Sequence, residues 1–214
     1  MSKGILVAGN DSALLVAVET EIVRRMERYV FAAIPNRFST AATAKSPAAN
    51  DYLEKVRIPL AWNAGSSIAT RALVRDAGNR LGRIDRAILV CSPPAVGCRV
   101  ADIKPVDVEV LASDCVKSWF FLVMELAAVF RANGGGLLAM VFREERCAAD
   151  ALGSAAAASF RSLATRVLSS ASGEGYSANG FSTDKVGNDA AFAAFVFKKL
   201  DSERRRADGR LYRY

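Results

Sequence analysis

The chain has 214 residues, of which 51% are hydrophobic and 24% charged, with a formal net charge of +7 at pH 7. This size fits a single domain over 1–214 with a large core, and no apolar run is long enough to cross a bilayer. The absence of histidine excludes Ser-His-Asp and Cys-His nucleophile pairs and histidine-ligated metal centres. No three-part signal peptide opens the chain, so we expect a cytoplasmic protein. The cysteines are expected to be small buried residues of a reduced compartment, since no C-x-x-C pair occurs among Cys91, Cys98, Cys115 and Cys147.

Apolar runs alternate with helical patterns along the whole chain. The runs predicted to be strands are 4–8, 29–34, 57–62, 87–91, 137–142, 176–181 and 211–214. The segments predicted to be helices are 13–27, 46–55, 67–81, 107–132, 148–171 and 185–200. Such alternation is typical of a parallel sheet covered on both faces. The sequence therefore predicts an α/β fold, a three-layer doubly wound parallel sheet of the Rossmann type in one domain.

Local signals set some of the boundaries. Ser66 or Ser67 is suited to cap the helix that follows, and Gly82 is suited to end it. Pro59 has no backbone N–H, so the strand at 57–62 is predicted to lie at a sheet edge. The third strand occupies that position in the common Rossmann order, 3-2-1-4-5-6.

Several short phrases occur in the order in which the short-chain dehydrogenase/reductase family has them. They are Ile5-Leu6-Val7-Ala8-Gly9, Leu81-Gly82-Arg83-Ile84-Asp85, Gly135-Gly136-Leu137-Leu138, Ser162-Leu163-Ala164 and Ala178-Asn179. The chain thus resembles that family from end to end. The resemblance implies a nucleotide-binding Rossmann fold and, where the functional residues are kept, oxidoreductase activity.

The phosphate loop departs from the family pattern. Its T-G-x-x-x-G-x-G motif matches residues 8–15 here, where Gly9 is the one glycine retained. The later glycines allow close backbone approach to the pyrophosphate and tight packing of the helix on the strand; Ala13 narrows that approach, and Leu15 puts a bulky side chain where the family has none. The Asp11 carboxylate competes with a phosphate for the amides at the helix N-terminus. We expect this turn to cap itself.

The remaining candidates for cofactor contact are Gly9, Asn10, Ser12, Arg37 and Ser92. Arg37 follows the second strand, where it is placed either to meet a 2′-phosphate or to be a solvated surface arginine. NADP is therefore the best candidate cofactor, although we expect no bound cofactor and no metal. Ser92 begins the stretch that replaces the family's N-N-A-G, in which two prolines remove backbone donors.

The catalytic positions implied by the resemblance are also replaced. The family's helix asparagine matches Asp114, its serine matches Phe142 or Arg143, and its Y-x-x-x-K pair matches Ala149 and Gly153. In the family this tyrosine donates the proton, and the lysine lowers the tyrosine's pKa.

Shifting the alignment does not restore the pair. No tyrosine lies between Tyr52 and Tyr176, and no lysine lies between Lys117 and Lys185. We assign no catalytic residue and predict that the ordinary dehydrogenase reaction has been lost.

Three functions remain open. The preferred one is a binding, regulatory or assembly module that forms a homo-oligomer, dimer or tetramer. The helices near 107–132 and 148–171 would form the subunit contacts, because their aromatic and aliphatic faces exceed what core packing needs and these helices make such contacts in the resembled family. An additional protein partner fits the same function, and a membrane partner does not.

The second function is an NADP(H)-dependent oxidoreductase, or another enzyme, with a rebuilt site. The cluster Arg143-Glu144-Glu145-Arg146 supplies paired carboxylates for acid and base roles, or is a solvated charge run or an ion-pair cluster. The third is nucleic-acid binding by the basic, tyrosine-containing segment 198–214. Asp201, Glu203 and Asp208 dilute that charge, so we expect no nucleic-acid partner.

Overall fold

The computed structural model of the chain describes residues 3–10, 12–35, 37, 59–60, 62–93, 99–144, 150–185, 187–202 and 209–214. The strands are β1 (Gly4–Asn10), β2 (Arg28–Ile34), β3 (Arg86–Cys91), β4 (Leu137–Arg143), β5 (Ser177–Thr183) and β6 (Arg210–Arg213). The α-helices are α1 (Ala13–Arg24), α2 (Ser67–Leu81), α3 (Pro105–Leu111), α4 (Ser118–Ala132), α5 (Ala151–Ser170) and α6 (Asp189–Ser202). A π-helical turn, Ala112–Lys117, joins α3 to α4, and short 3₁₀ turns lie at Val100–Asp102 and Ala171–Glu174.

All strands are parallel, in the order β2-β1-β3-β4-β5-β6. Every residue of β1 and β3 is buried, as expected of strands covered on both faces. One apolar core joins the sheet to α2, α4 and α5, and the other joins its opposite face to α1 and α6. The predicted three-layer Rossmann-type fold is confirmed.

The connections place a switch point between β1 and β3. From β1 the chain proceeds to β2 on one side, and from β3 it proceeds outward on the other side. Open sheets of this kind bind ligands beyond the carboxyl ends of the strands at such a point. The end of β1 is therefore where a site is expected.

The residues that the structure describes between 57 and 62 do not form the predicted strand, so that prediction is wrong for them. Pro59 forms only an isolated parallel bridge with Phe31 of β2, and the Leu60 N–H donates to the Phe31 carbonyl at 2.8 Å. Pro59 does lie beside β2, the outermost strand on that side, but its missing N–H interrupts the ladder. The helix predicted at 46–55 lies outside the described residues.

The other helix limits differ from the predictions by a few residues. Met26 takes a left-handed φ of 54°, and α1 ends at Arg24 before it. The Ser66 hydroxyl accepts the Ala69 N–H at 3.2 Å, and Gly82 has a φ of 74°, so both predicted caps of α2 are confirmed. Asp150 caps α5 through the Gly153 N–H. No helix within the described parts of the chain is long and apolar enough to span a membrane.

The helix predicted over 107–132 is interrupted. The π-helical turn adds a residue to the helical repeat between α3 and α4. The Ser118 hydroxyl donates to the Asp114 carbonyl at 2.7 Å within this turn. Asp114 and Cys115 are both buried there. Single π-helical turns often occur at functional sites.

Candidate functional site

Gly9 lies near the end of β1, at the switch point. A Cβ atom at this position would be 2.7 Å from Leu15 Cδ1 and 2.8 Å from the Val90 carbonyl oxygen. Leu15 itself is 1% exposed and belongs to the core shared by α1 and the sheet. Gly9 is thus required by close packing with the chain's own residues. Leu15 matches the third glycine of the family's motif, which serves close packing of the helix on the strand, and its side chain packs in that core.

The turn from β1 to α1 uses Ser12 as its cap. Ser12 has an extended backbone, and its hydroxyl accepts the Leu15 N–H at 3.3 Å. One of the amides that a phosphate would use at this helix N-terminus is therefore already bonded. The predicted self-capping is confirmed for Ser12, whereas Asp11 lies outside the described residues.

Asn10, the last residue of β1, faces the π-helical turn. It is 6% exposed, and its Nδ2 donates to Cys115 Sγ at 3.8 Å. Its Oδ1 is buried without a hydrogen-bond partner among the described residues. Asn10 thus ties the end of β1 to the helix layer and leaves one acceptor unused.

Two buried thiols lie beside this amide. Burial raises the pKa of Cys115 to about 12, the Asp114 charge adds to the rise, and the hydrogen bond from Asn10 opposes it. Burial also raises the pKa of Cys91 well above its ordinary value. Both thiols stay protonated at neutral pH and are poor nucleophiles. Their predicted burial is confirmed, and Cys98 and Cys147 lie outside the described residues.

Arg37 has a partner that neither of its predicted roles included. Its Nε lies 3.2 Å from Asp114 Oδ2, and the Asp114 side chain is only 9% exposed. Burial raises the pKa of Asp114, and the Arg37 charge opposes part of that rise. Arg37 therefore connects the chain beyond β2 to the π-helical turn. A carboxylate of this chain takes the contact predicted for a 2′-phosphate.

Ser92 stands apart from this cluster. It is half-buried just beyond β3, and its side chain makes no hydrogen bond with the described residues. The structure thus brings Gly9, Asn10 and Ser12 together and links Arg37 to the same turn through Asp114. Ser92 follows the neighbouring strand without joining them.

The residues at the family's catalytic positions have structural contacts instead. Phe142 is 2% exposed and makes an edge contact with Phe160, with ring centroids 5.7 Å apart. The Gly153 N–H, in the first turn of α5, donates to the Asp150 carboxylate at 2.9 Å. Gly153 carries no side chain that could transfer a proton, and Ala149 lies outside the described residues.

Arg143 and Glu144, the described residues of the Arg143–Arg146 cluster, are not fully solvated. The Arg143 side chain is 14% exposed and is ion-paired to Asp189 at the start of α6. The Glu144 N–H donates to the Thr183 carbonyl at 2.8 Å. Arg143 Nε and Glu144 Oε1 are both buried without a hydrogen-bond partner among the described residues. Glu145 and Arg146 lie outside those residues.

No protein-family model matches this sequence, and no curated protein matches it. Solved structures do match. A short-chain dehydrogenase from Mycobacterium smegmatis has a TM-score of 0.75 at 15% identity, covering 99% of this chain and 91% of that one. Levodione reductase has a TM-score of 0.74 at 12% identity, covering 100% and 96%. An NADH-dependent reductase complexed with NAD has a TM-score of 0.73 at 14% identity, covering 100% and 95%. The chain therefore has the fold of the short-chain dehydrogenases/reductases.

The substitution Gly9→Ala tests the packing at the switch point. We expect a loss of about 1–3 kcal/mol in the free energy of unfolding, because the new methyl group meets Leu15 and a backbone carbonyl that has no room to move. Urea denaturation measures this change. The matched control is Gly78→Ala, where a Cβ meets nothing within 4 Å. That helical position should gain about 0.5–1 kcal/mol. Equal stability of Gly9→Ala and the wild type would contradict the packing argument.

Asp114→Asn tests the buried carboxyl. The raised pKa of Asp114 means that folding favours its protonated form, so the carboxyl lowers stability progressively as pH rises from about 3.9 through the raised pKa. The asparagine variant should therefore gain stability relative to the wild type across that interval and hold the gain at neutral pH. Urea denaturation of both proteins between pH 4 and pH 7 gives the difference.

Arg37→Gln is the companion variant. This variant removes the Arg37 charge, which opposes the rise in the pKa of Asp114. The free energy of unfolding should therefore fall more steeply as pH rises. A stability of Asp114→Asn that falls below the wild type as pH rises would mean that the ion pair outweighs burial.

Proposed function

We propose that this chain is a member of the short-chain dehydrogenase/reductase family that has lost hydride-transfer chemistry and serves as a binding, regulatory or assembly module. The observation that carries the proposal is the replacement of the family's tyrosine and lysine by Ala149 and Gly153, with the Asp150 carboxylate held as the cap of α5. The Arg37–Asp114 ion pair supports it from the adenosine side of the crevice.

The contacts in the crevice disfavour a dinucleotide. A phosphate that uses the Leu15 N–H would have to displace the Ser12 hydroxyl, at a cost of about 0.5–1.5 kcal/mol. A 2′-phosphate would also have to displace Asp114 from Arg37 and leave a buried carboxyl without its counter-ion. These two contacts lie at separate parts of the crevice, so a bound dinucleotide would have to displace both.

The chemistry adds a further obstacle. A positioned general acid contributes about 10²- to 10⁴-fold to a rate. At the positions that match the family's tyrosine and lysine this chain has Ala149 and Gly153. The nearby Asp150 carboxylate is held as the helix cap by the Gly153 N–H. The first turn of α5 therefore offers no replacement for the proton donor.

The second candidate is an NADP(H)-dependent oxidoreductase, or another enzyme, with a rebuilt site. Its support is a set of polar atoms at the carboxyl ends of the strands. Asn10 Oδ1, Arg143 Nε and Glu144 Oε1 are buried without partners in the described parts of the chain. Asp114 adds a carboxyl whose raised pKa suits acid–base work. The likeness to a reductase complexed with NAD agrees with a nucleotide ligand.

We further propose a homo-oligomer, dimer or tetramer, with contacts through α4 and α5. Phe120 and Met124 lie one helical turn apart on α4 and are 47% and 60% exposed. The outer surface of α5 carries a shallow depression lined by Ala158, Ser162, Thr165 and Ser169 together with Arg161 and Arg166. Large exposed apolar side chains on α4 suit a contact between two copies.

Titration with NADPH and NADH separates the two candidate functions. We expect no saturable binding up to about millimolar concentration by calorimetry. Ser12→Ala should improve nucleotide binding relative to the wild type, because it frees the Leu15 N–H at the helix N-terminus. Thr20→Ala is the matched control, since it removes from the same helix a hydroxyl that bonds the Val16 carbonyl.

The opposite result would establish the second candidate. Micromolar binding of NADPH by the wild type, weakened by Arg37→Gln while NADH binding is unchanged, would show that Arg37 leaves Asp114 for a 2′-phosphate. Such binding would overturn the non-catalytic proposal for the crevice.

The double variant Phe120→Glu/Met124→Glu tests the oligomer. Two buried charges at a subunit contact are strongly unfavourable, so we expect this variant to be monomeric at tens of micromolar, where the wild type is a dimer or tetramer. Light scattering after gel filtration measures the mass. Met26→Glu is the control, because Met26 is 91% exposed and follows α1, on the opposite face of the sheet from α4. A monomeric wild type would contradict the proposal.

A further inference from the structure

The outer surface of α5 carries positive charge that the described residues leave uncompensated. Over its 20 residues α5 holds Arg161 and Arg166 and neither aspartate nor glutamate. Both arginines are exposed, line the same shallow depression and form no ion pair with another described residue. The carboxylates that flank the helix are already engaged, because Asp150 caps its first turn and Glu174 is ion-paired to Arg131.

The neighbouring helix α4 does not supply the missing carboxylate. It lies beside α5, since the Trp119 ring centroid is 5.1 Å from that of Phe160. Its one carboxylate, that of Glu125, is ion-paired to Arg71 of α2. The exposed Lys117, which directly precedes α4, adds a further cation. The joint surface of α4 and α5 thus has cations and no free carboxylate among the residues that the structure describes.

The depression on α5 is open to solvent, because this helix alone forms it. All of its lining residues lie between 158 and 169. An ion held in such an exposed site is hydrated and screened, so its contacts contribute little. The residues that line the depression with the two arginines have small side chains, which let a second helix approach closely. A second molecule that covers the depression would enclose the site.

A contact between two copies through this face brings like charges together. In an isologous contact the same surface patch of both copies meets. Arg161 and Arg166 are equally far along the helix from its point between residues 163 and 164. In an antiparallel pair of α5 helices centred there, Arg161 of one copy lies opposite Arg166 of the partner subunit. Guanidinium groups enclosed in this way disfavour the contact unless an anion neutralises them.

We propose that a free divalent oxyanion of the phosphate or sulfate class binds between the α5 helices of two copies and promotes their association. The inference rests on the homo-oligomer proposed above. Guanidinium groups match such oxyanions, because each group offers a planar fork of N–H donors. Arg161 and Arg166 are about 7.5 Å apart along the helix axis, a separation at which two long side chains can converge on one ion. One copy supplies half of these groups, so the site is complete only in the dimer.

Sedimentation equilibrium of the full chain tests the proposal in two buffers of equal pH and ionic strength, one with sodium phosphate and one with sodium chloride. We expect the dissociation constant of the dimer to be about tenfold or more lower in phosphate, which is the effect of roughly one hydrogen bond to a charged group. Sodium sulfate at the same ionic strength should act as phosphate does.

The double variant Arg161→Gln/Arg166→Gln removes the proposed anion ligands. Its dimer should have the same dissociation constant in phosphate and in chloride. In chloride this variant should associate more tightly than the wild type, because like charges no longer meet at the contact. A structural role of the two arginines within one copy would not produce this reversal.

A matched double variant controls for net charge. Arg24→Gln/Lys198→Gln removes the same charge from exposed positions on α1 and α6, which cover the opposite face of the sheet. This variant should keep the wild-type response to phosphate. Thermal unfolding of both double variants checks that they are folded.

The results that would contradict the anion site are distinguishable from failure of the homo-oligomer. A wild type that is monomeric in both buffers at concentrations on the order of tens of micromolar contradicts the homo-oligomer and the anion site together. A dimer of equal stability in both buffers keeps the homo-oligomer and overturns the anion site. An equal phosphate effect in both double variants means an adventitious ion only. Binding to vesicles that contain phosphatidylserine, by a protein that stays monomeric in phosphate, assigns the surface to a membrane.

Discussion

The close approach of helix α1 to the end of β1 determines much of this structure. At Gly9 there is no room for a Cβ atom, because Leu15 and the Val90 carbonyl occupy that space. This contact seats α1 on β1 and β3, and α6 then packs beside α1, where Arg25 bonds Asp201 and lies over the Phe197 ring. In turn α6 supports the aromatic side chains of β6. The packing of α1 and α6 on one face of the sheet thus supports both the end of β1 and the aromatic side chains at the far edge.

The fold was predictable because its signals are local and repeated. Buried parallel strands appear as apolar runs, and these runs alternate with helical patterns along the whole chain. The errors arose where one residue changes the geometry. Pro59 stands in an apolar run but cannot continue a ladder, and a π-helical turn leaves no periodic signal in a helix that is apolar on several sides. The interruption nevertheless decides which side chains, Asp114 and Cys115, turn inward.

The contacts of the candidate site could be predicted only where a residue contacts its neighbours in the sequence. The loss of glycines after Gly9 and the capping role of Ser12 follow from positions within one turn. The ion-pair partners of the arginines cannot be predicted in this way, because Arg37 meets Asp114 and Arg143 meets Asp189 across long stretches of chain. The sequence offered Arg37 a phosphate or solvent, and Arg143 a solvated charge run or an ion-pair cluster. Arg37 is 58% exposed and also meets Asp114, and Arg143 pairs with Asp189, so ion pairing of Arg143 is confirmed although its partner was not predicted.

Fold and chemistry depend on different residues in this architecture, so one can be kept while the other is lost. Gly9 and the apolar strands stabilise the sheet whether or not a cofactor is bound, whereas a tyrosine–lysine pair on α5 serves only the reaction. Two features of the crevice still oppose stability. Asn10 Oδ1 is buried without a hydrogen-bond partner among the described residues, at a cost of about 1–3 kcal/mol, and burial of the Asp114 carboxyl raises its pKa. A ligand that donates a hydrogen bond to Asn10 Oδ1 would relieve the first of these costs.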